Sequence, residues 1–277
     1  MPSTTLSTAQ IRGCTVRVRT TSGPGGSAGT RIPFVLVHGL GMTHRYLDRL
    51  RAELAAHADV HSLDLPGYGP DPRPRTPLAV EDHAALIVDA LELLGIRSCV
   101  LVGHSMGVQF VTAAALRAPT SVQGVVLMGP VVDRRRRTVL QQAAALAHDT
   151  LRESVGANLV VLSDYLRTGL RWYVRQLVPM LEYPLERAVE RLERPVLVLR
   201  GSRDPVARAL WCRELADRAQ DGHCVEIEGQ PHVVQHSAAA RVATEILAFT
   251  SRRSAVAEVF LPEASDGSMG KLEDRSA

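Results

Sequence analysis

Lysine is almost missing from the 277-residue chain: Lys271 is the only one, so the basic side is nearly all arginine. With 32 basic against 29 acidic residues the net charge is only +3, and aromatics make up 4%. No basic face with interleaved aromatics can be read from this, so nucleic acid is not an expected partner. Cysteine is scarce as well. Cys14, Cys99, Cys212 and Cys224 form no CxxC pair and have no histidine at metal-ligand spacing, which excludes a zinc or dithiol motif and predicts free buried thiols in a reducing compartment. No run reaches the 18 or so apolar residues that span a bilayer, and the first thirty residues lack a basic start followed by an apolar core. A soluble cytoplasmic protein without a membrane partner is expected. What is present is ordinary for a globular chain: 45% hydrophobic and 22% charged residues exclude disorder, collagen and a disulfide-stapled miniature.

Short apolar runs alternate with longer amphipathic stretches, the βα pattern of a mostly parallel sheet. After a β-prone piece at Thr15 to Thr20 and a flexible loop from Ser22 to Thr30, the expected strands are Ile32 to Val37, Asp59 to Leu63, Ser98 to Val102, Gly124 to Met128, Pro195 to Arg200 and His223 to Glu228. Their density in Val, Leu and Ile suits strands covered on both faces. Helices are expected at Leu78 to Leu94, Met106 to Arg117, Ala207 to Ala219 and Ser237 to Thr250. Residues 131 to 193 break the rhythm, with helix-prone stretches at Thr138 to His148 and Ser163 to Leu181 but no strand. So long a connection calls for structure of its own, and a helical lid is expected. The organisation is then a core in two parts, 1–130 and 194–251, an inserted lid at 131–193 and a flexible tail at 252–277.

The sharpest local signal is Gly103-His104-Ser105-Met106-Gly107, which follows the run Cys99 to Val102 and opens a helical pattern. In this strand–turn–helix context a serine sits in a strained turn that lifts its hydroxyl above the sheet, and glycines on either side let strand and helix approach. The turn also points the next N–H and the positive end of the helix at a reacting oxygen. A second donor for that oxygen is expected in His38-Gly39-Leu40-Gly41, after the first apolar strand. Leu40 and Met106 are therefore the expected oxyanion-hole N–H groups. His38 itself is expected to make a structural hydrogen bond, and Asp64, in Asp64-Leu65-Pro66-Gly67-Tyr68-Gly69, to serve the turn.

A serine hydroxyl needs a base before it attacks anything. His232, in Gly229-Gln230-Pro231-His232 beyond the last strand, falls at the carboxyl edge of the sheet, where open α/β sheets place their sites. His236 and His223 are rivals. Asp204, in the turn Gly201-Ser202-Arg203-Asp204-Pro205, also follows a strand and would fix the imidazole tautomer. Asp133, at the end of the preceding strand, competes for that role or caps the first inserted helix.

On these residues, taken in the chain order Ser105, Asp204, His232, the chain resembles the α/β-hydrolase family from about Val16 to Thr250. Val108, where many relatives have a second glycine, and Pro231, where glycine is usual, depart from the pattern without removing a catalytic atom. The resemblance implies an α/β fold: a mostly parallel eight-stranded sheet with helices on both faces and a helical lid inserted after the sixth strand. It implies a serine hydrolase, with Ser105 attacking an ester, thioester or lactone of a small to medium, largely apolar acyl compound. No cofactor or metal is implied. A carbon–carbon bond hydrolase, lyase or acyltransferase of the same fold, or a ligand-binding homologue, is the alternative. Ser105, rather than aspartate, argues against epoxide opening or halide displacement. Within the lid, Trp172 and Tyr173 are candidate substrate contacts, although packing against the core is the commoner role of such aromatics. Arg134 to Arg137 read as a solvated helix start. Oligomeric state and substrate identity are not encoded in any pattern found.

Overall fold

The computed structural model describes residues 3–24, 31–69 and 71–259. Eight strands form one sheet: β1 (Thr4–Ile11), β2 (Cys14–Thr21), β3 (Phe34–Val37), β4 (Val60–Asp64), β5 (Cys99–His104), β6 (Val122–Met128), β7 (Val196–Gly201) and β8 (Gly222–Ile227), in the spatial order β1-β2-β4-β3-β5-β6-β7-β8. β1 and β2 pair antiparallel with each other and β2 antiparallel with β4; every later pairing is parallel.

The period-2 alternation of the central strands divides the core in two. Val35 and Val37, Leu101, Val125 and Leu127, and Val196 and Val198 face one side, where α2 (Val80–Leu93), α3 (Gly107–Arg117), α7 (Leu185–Glu190) and α8 (Ala209–Arg218) cover them. Their immediate neighbours Phe34 and Leu36, Val100 and Val102, Val126 and Met128, and Leu197 and Leu199 face the other, under α1 (Asp48–Ala55), α9 (Val234–Ser237) and α10 (Ala239–Val259). Each such side chain, fully buried, contributes about 1.5–3 kcal/mol, so both faces of these strands must be apolar. That is why they read as unbroken hydrophobic runs.

Between β6 and β7 lie α4 (Val139–Thr150), α5 (Val155–Thr168), α6 (Leu170–Glu182) and α7, with no strand among them. Thr138 caps α4 and Ser154 caps α5 through their hydroxyls. The stretch expected as one helix over Ser163 to Leu181 is two, because Gly169 turns to φ +75° and ends α5. The arginine run lies just before α4, exposed at Arg134 to Arg136 as a solvated helix start should be; in addition Arg134 and Arg135 pair with Glu214 of α8, and half-buried Arg137 pairs with Glu186 of α7.

Three further expectations are corrected. β1 carries no apolar signature because it is an exposed edge strand with a Ser/Thr-rich sequence, and it escaped the pattern analysis. The region from Ser251 is not patternless throughout, since α10 runs on to Val259; extending a formed helix is easier than nucleating one. The remainder of the expected tail, 260–277, and residues 25–30 of the Ser22 to Thr30 loop lie outside the described residues. Of the four free thiols only Cys99 and Cys212 are buried; Cys14 is half-buried and Cys224, on the edge strand β8, is exposed. Among the described residues no helix is long and apolar enough to cross a membrane.

Candidate active site

The carboxyl ends of β3, β5, β7 and β8 meet at one edge of the sheet, and Leu40, Ser105, Met106, Asp204 and His232 follow them there. Ser105 opens the two-residue turn, Ser105-Met106, between β5 and α3 and is held at φ +55°, a left-handed conformation unfavourable for a residue with a Cβ. Its N–H donates to Met128 O at 2.9 Å, which ties the turn to β6. The flanking glycines are explained by backbone approach. A Cβ on Gly103 would stand 2.5 Å from Gly107 O, and one on Gly107 2.5 Å from Val37 O, so strand β5, helix α3 and the end of β3 close on each other only through glycine.

Asp204 and His232 meet as expected. His232 Nδ1 donates to Asp204 Oδ2 at 2.8 Å, with both side chains buried. Asp204 is itself fixed, its Oδ1 accepting the N–H groups of Val206 at 2.7 Å and Ala207 at 2.9 Å. The other imidazole nitrogen, His232 Nε2, is buried and has no partner among the described residues. The imidazole packs so closely on Gly129 that a Cβ there would lie 2.8 Å from His232 Cε1. Against the penalty of burial, the Asp204 carboxylate, then Asp149 and Glu153, raise the His232 pKa to about 9.

Ser105 and His232 line one cavity of about 470 Å³, together with Gly39, Leu40 and Met42 of the β3 loop. The insertion supplies the opposite wall through Leu146, Val161, Tyr165, Leu166 and Tyr173, so the space is mostly apolar. Four polar side chains of the wall, Asp149, Thr150, Glu153 and Asn158, come from the same insertion. The Leu40 and Met106 N–H groups have no hydrogen-bond partner among the described residues, and both residues are buried. Orphaned N–H groups beside a serine are unfavourable unless an anion or water meets them.

A relay that the sequence did not reveal ties these parts together. The Gly39 N–H donates to Tyr46 Oη at 2.6 Å, Tyr46 donates to His104 Nδ1 at 3.0 Å, and His104 Nε2 donates to His232 O at 3.0 Å. Burial holds His104 neutral, its pKa well below the ordinary histidine value, which gives it one donor and one acceptor as this chain requires. The Gly39 turn, the serine turn and the His232 loop are thus one hydrogen-bonded unit.

The other candidates fall elsewhere. His38 makes the expected structural bonds, donating to Gly39 O and accepting the Leu65 N–H at 3.0 Å. Asp64 accepts the N–H and Nδ1–H of His44, bonds that draw its pKa below the ordinary value against the opposing effect of burial. Asp133 is buried in an ion pair with Arg208 and accepts the Arg135 N–H, so it is committed away from His232. His236 is buried in α9 with neither ring nitrogen bonded, and His223 sits in β8. Of the two aromatic residues expected to touch ligand, Tyr173 lines the cavity, but Trp172 packs over Gly67, where a Cβ would be 2.5 Å from its ring. Trp172 therefore packs as core, which the amphipathic pattern of α6 could not distinguish from a ligand contact. Asp149, Glu153 and Asp164 were not singled out, because polar residues inside a helical pattern carry no mark of being turned inward. Asp164, fully buried, accepts the Thr43 N–H and hydroxyl and pairs with Arg45, seating α5 above the β3 loop. Among the described residues no group of three or more His, Cys, Asp or Glu could hold a metal ion.

Comparison with known proteins agrees with this fold. A hydrolase of Acinetobacter baylyi that acts on (E)-2-((N-methylformamido)methylene)succinate is 26% identical over 76% of this chain and 87% of its own. An enol-lactonase from Burkholderia xenovorans superposes with a TM-score of 0.75 at 22% identity, over 88% of this chain and 100% of its own. An esterase from a Rhodococcus species does so with a TM-score of 0.75 at 20% identity, over 90% and 98%. Residues 34–245 match the profile of the alpha/beta hydrolase family, and to that family the chain belongs.

Proposed function

We propose that the protein is a serine hydrolase that cleaves an ester, thioester or lactone of a largely apolar, uncharged acyl compound through an acyl-enzyme. The observation that carries this reading is the state of His232: Nδ1 is engaged by Asp204 at 2.8 Å while Nε2 is buried and unpartnered on the wall of the cavity that Ser105 also lines. Ser105 Oγ attacks the acyl carbon as His232 Nε2 takes its proton. The negative oxygen that develops is met by the N–H groups of Leu40 and Met106, each such donor contributing about 3–4 kcal/mol to the transition state. His232 returns the proton to the leaving group, then deprotonates a water that attacks the ester carbon and frees Ser105. Asp204 keeps the tautomer correct and stabilises the imidazolium in both halves.

The inserted helices act in this reading as the lid that closes the acyl cavity, and Tyr173 is its aromatic substrate contact. The substrate class is argued from the wall. Apart from His232 and the neutral His104 it carries no basic side chain among the described residues, while Asp149 and Glu153 are acidic, so a dicarboxylate like that of the Acinetobacter relative is a poor match and a neutral acyl group a good one. The test is intact-mass analysis after exposure to a fluorophosphonate. A single adduct on the wild type, absent from Ser105→Ala and His232→Ala, is expected. No adduct on the folded wild type would refute an activated serine and redirect the search to ligand binding or non-hydrolytic chemistry.

A further inference from the structure

We propose that Asp149 and Glu153, two carboxylates of the helical insertion, are positioning residues for His232 that hold its loop by the backbone and supply negative charge beside its ring. The proposal rests on the reading of His232 as the general base. Asp149 lies in the last turn of α4, and Glu153 in the short turn that leads to α5. The His232 N–H donates to Asp149 Oδ1 at 3.0 Å, and the Val233 N–H donates to Glu153 Oε1 at 2.6 Å. Between them, Arg152 donates to Arg203 O at 3.0 Å, beside Asp204. Three residues within the stretch 149–153 thus hold both loops that bring base and acid together, across 51 residues to Arg203 and 80 or more to His232 and Val233.

The grip is well aimed. His232 is fixed on both sides of its backbone, its N–H by Asp149 and its C=O by His104. With Gly129 beneath the ring and Asp204 on Nδ1, the direction of Nε2 is set. A displacement of about 1 Å at such a group can lower a rate about 100-fold.

Stability alone does not account for carboxylates at these places. A negative charge in the C-terminal turn of α4 opposes the helix dipole, and Asp149 is only 4% exposed, so its charge is largely desolvated. An amide oxygen would accept the same N–H group without that penalty. Glu153 repeats the pattern: Oε1 is bonded, Oε2 is buried with no partner among the described residues, and burial pushes its pKa up to about 7. What the charges add is a field at the imidazole. The groups facing His232 are Asp204, Asp149 and Glu153, with neutral His104 at 4.8 Å between ring centroids; the Arg152 charge acts on Asp149 in turn. All three carboxylates favour the imidazolium that forms as Ser105 is deprotonated, and only Asp204 touches the ring.

The test separates holding from charging. Second-order fluorophosphonate labelling rates of the full chain are followed from pH 5 to 10 for the wild type, Asp149→Asn, Asp149→Ala and Glu153→Gln, with kcat and KM on a neutral aryl ester. Asp149→Asn and Glu153→Gln keep an acceptor for the N–H but lose the charge. Both are expected to label with an inflection at lower pH; Asp149→Asn should react several-fold faster than the wild type at pH 6, where more of its base is neutral, and Glu153→Gln should gain only above about pH 7, where Glu153 carries its charge in the wild type. Asp149→Ala also loses the hold and should fall at least about tenfold in kcat on the alkaline plateau, with KM little changed. Superimposable profiles for the wild type, Asp149→Asn and Glu153→Gln would overturn the proposal, as would equal losses in Asp149→Asn and Asp149→Ala at every pH, which is the mark of a merely structural contact. Should Asp149→Ala not fold, by circular dichroism, the two isosteric variants decide. A wild type that takes no adduct at Ser105 would instead refute the serine-hydrolase reading.

Discussion

Ser105 has a left-handed backbone, and this sets a trade of stability against chemistry whose size can be worked out. At φ +55° a residue with a Cβ is strained by about 1–2 kcal/mol. Alanine removes the hydroxyl but keeps the Cβ, so Ser105→Ala retains the strain. Glycine removes both. Against that relief stands the greater freedom of glycine in the unfolded chain, which offsets about 0.4–1 kcal/mol. Ser105→Gly should therefore be more stable than Ser105→Ala by roughly 0.5–1 kcal/mol, or about 1–4 °C in Tm for a chain of this size. Both should be inactive, so neither ligand nor turnover confounds the comparison. Calorimetry and urea unfolding of the two variants side by side read the difference directly. A Ser105→Gly protein no more stable than Ser105→Ala would mean that the turn imposes no conformational strain, and the argument that strain holds the proposed nucleophile in place would fail.

Three other predictions follow from the same geometry. On the proposal that neutral His232 is the base, its raised pKa means that kcat/KM should climb with pH through an ionisation above the ordinary histidine value; a flat profile from pH 5 to 9 would count against that role. Because the folded pKa exceeds the unfolded one, the same shift stabilises the fold below about pH 6.5 and that contribution is lost as pH rises toward about 9, a trend in Tm that His232→Gln should lack. Asp204→Asn should lower kcat by about 10⁴ with the fold intact, whereas Asp133→Asn, which breaks a half-exposed pair with Arg208, should keep activity and lose about 1–2 kcal/mol of stability in urea; the opposite pattern would reassign the acid. Gly107→Ala would drive a Cβ against Val37 O and His38 O and should destabilise by about 1–3 kcal/mol or more, seen as a lower urea midpoint; a neutral result would show that α3 is free to shift away from β3.

Much of the architecture was readable because its signals are local. The strands β3, β5, β6 and β7 are buried on both faces and so announce themselves as Val- and Leu-rich runs, within two residues of their observed bounds. The serine turn was legible because backbone approach demands glycine at 103 and 107, and the acid and base loops because they follow strands in a fixed order. β1 was missed for the converse reason: an exposed edge strand buries almost nothing, so no apolar period marks it. The split of α5 from α6 at Gly169 was missed because one glycine in a helical pattern is compatible with either outcome.

By itself the sequence determined the class of fold, the order of its elements and the positions from which Ser105, Asp204 and His232 are offered, since periodicity, strand composition and turn chemistry act between residues close in the chain. Only the tertiary structure decided that Asp204 rather than Asp133 meets His232, that Tyr173 rather than Trp172 faces the cavity, and that Asp149 and Glu153 reach back across some eighty residues to the His232 loop. These are contacts between elements whose relative placement follows from the packing of the whole core. A polar residue on a helix has the same local pattern whether it points to water or to a buried N–H group, and the difference exists only once the insertion is seated on the sheet.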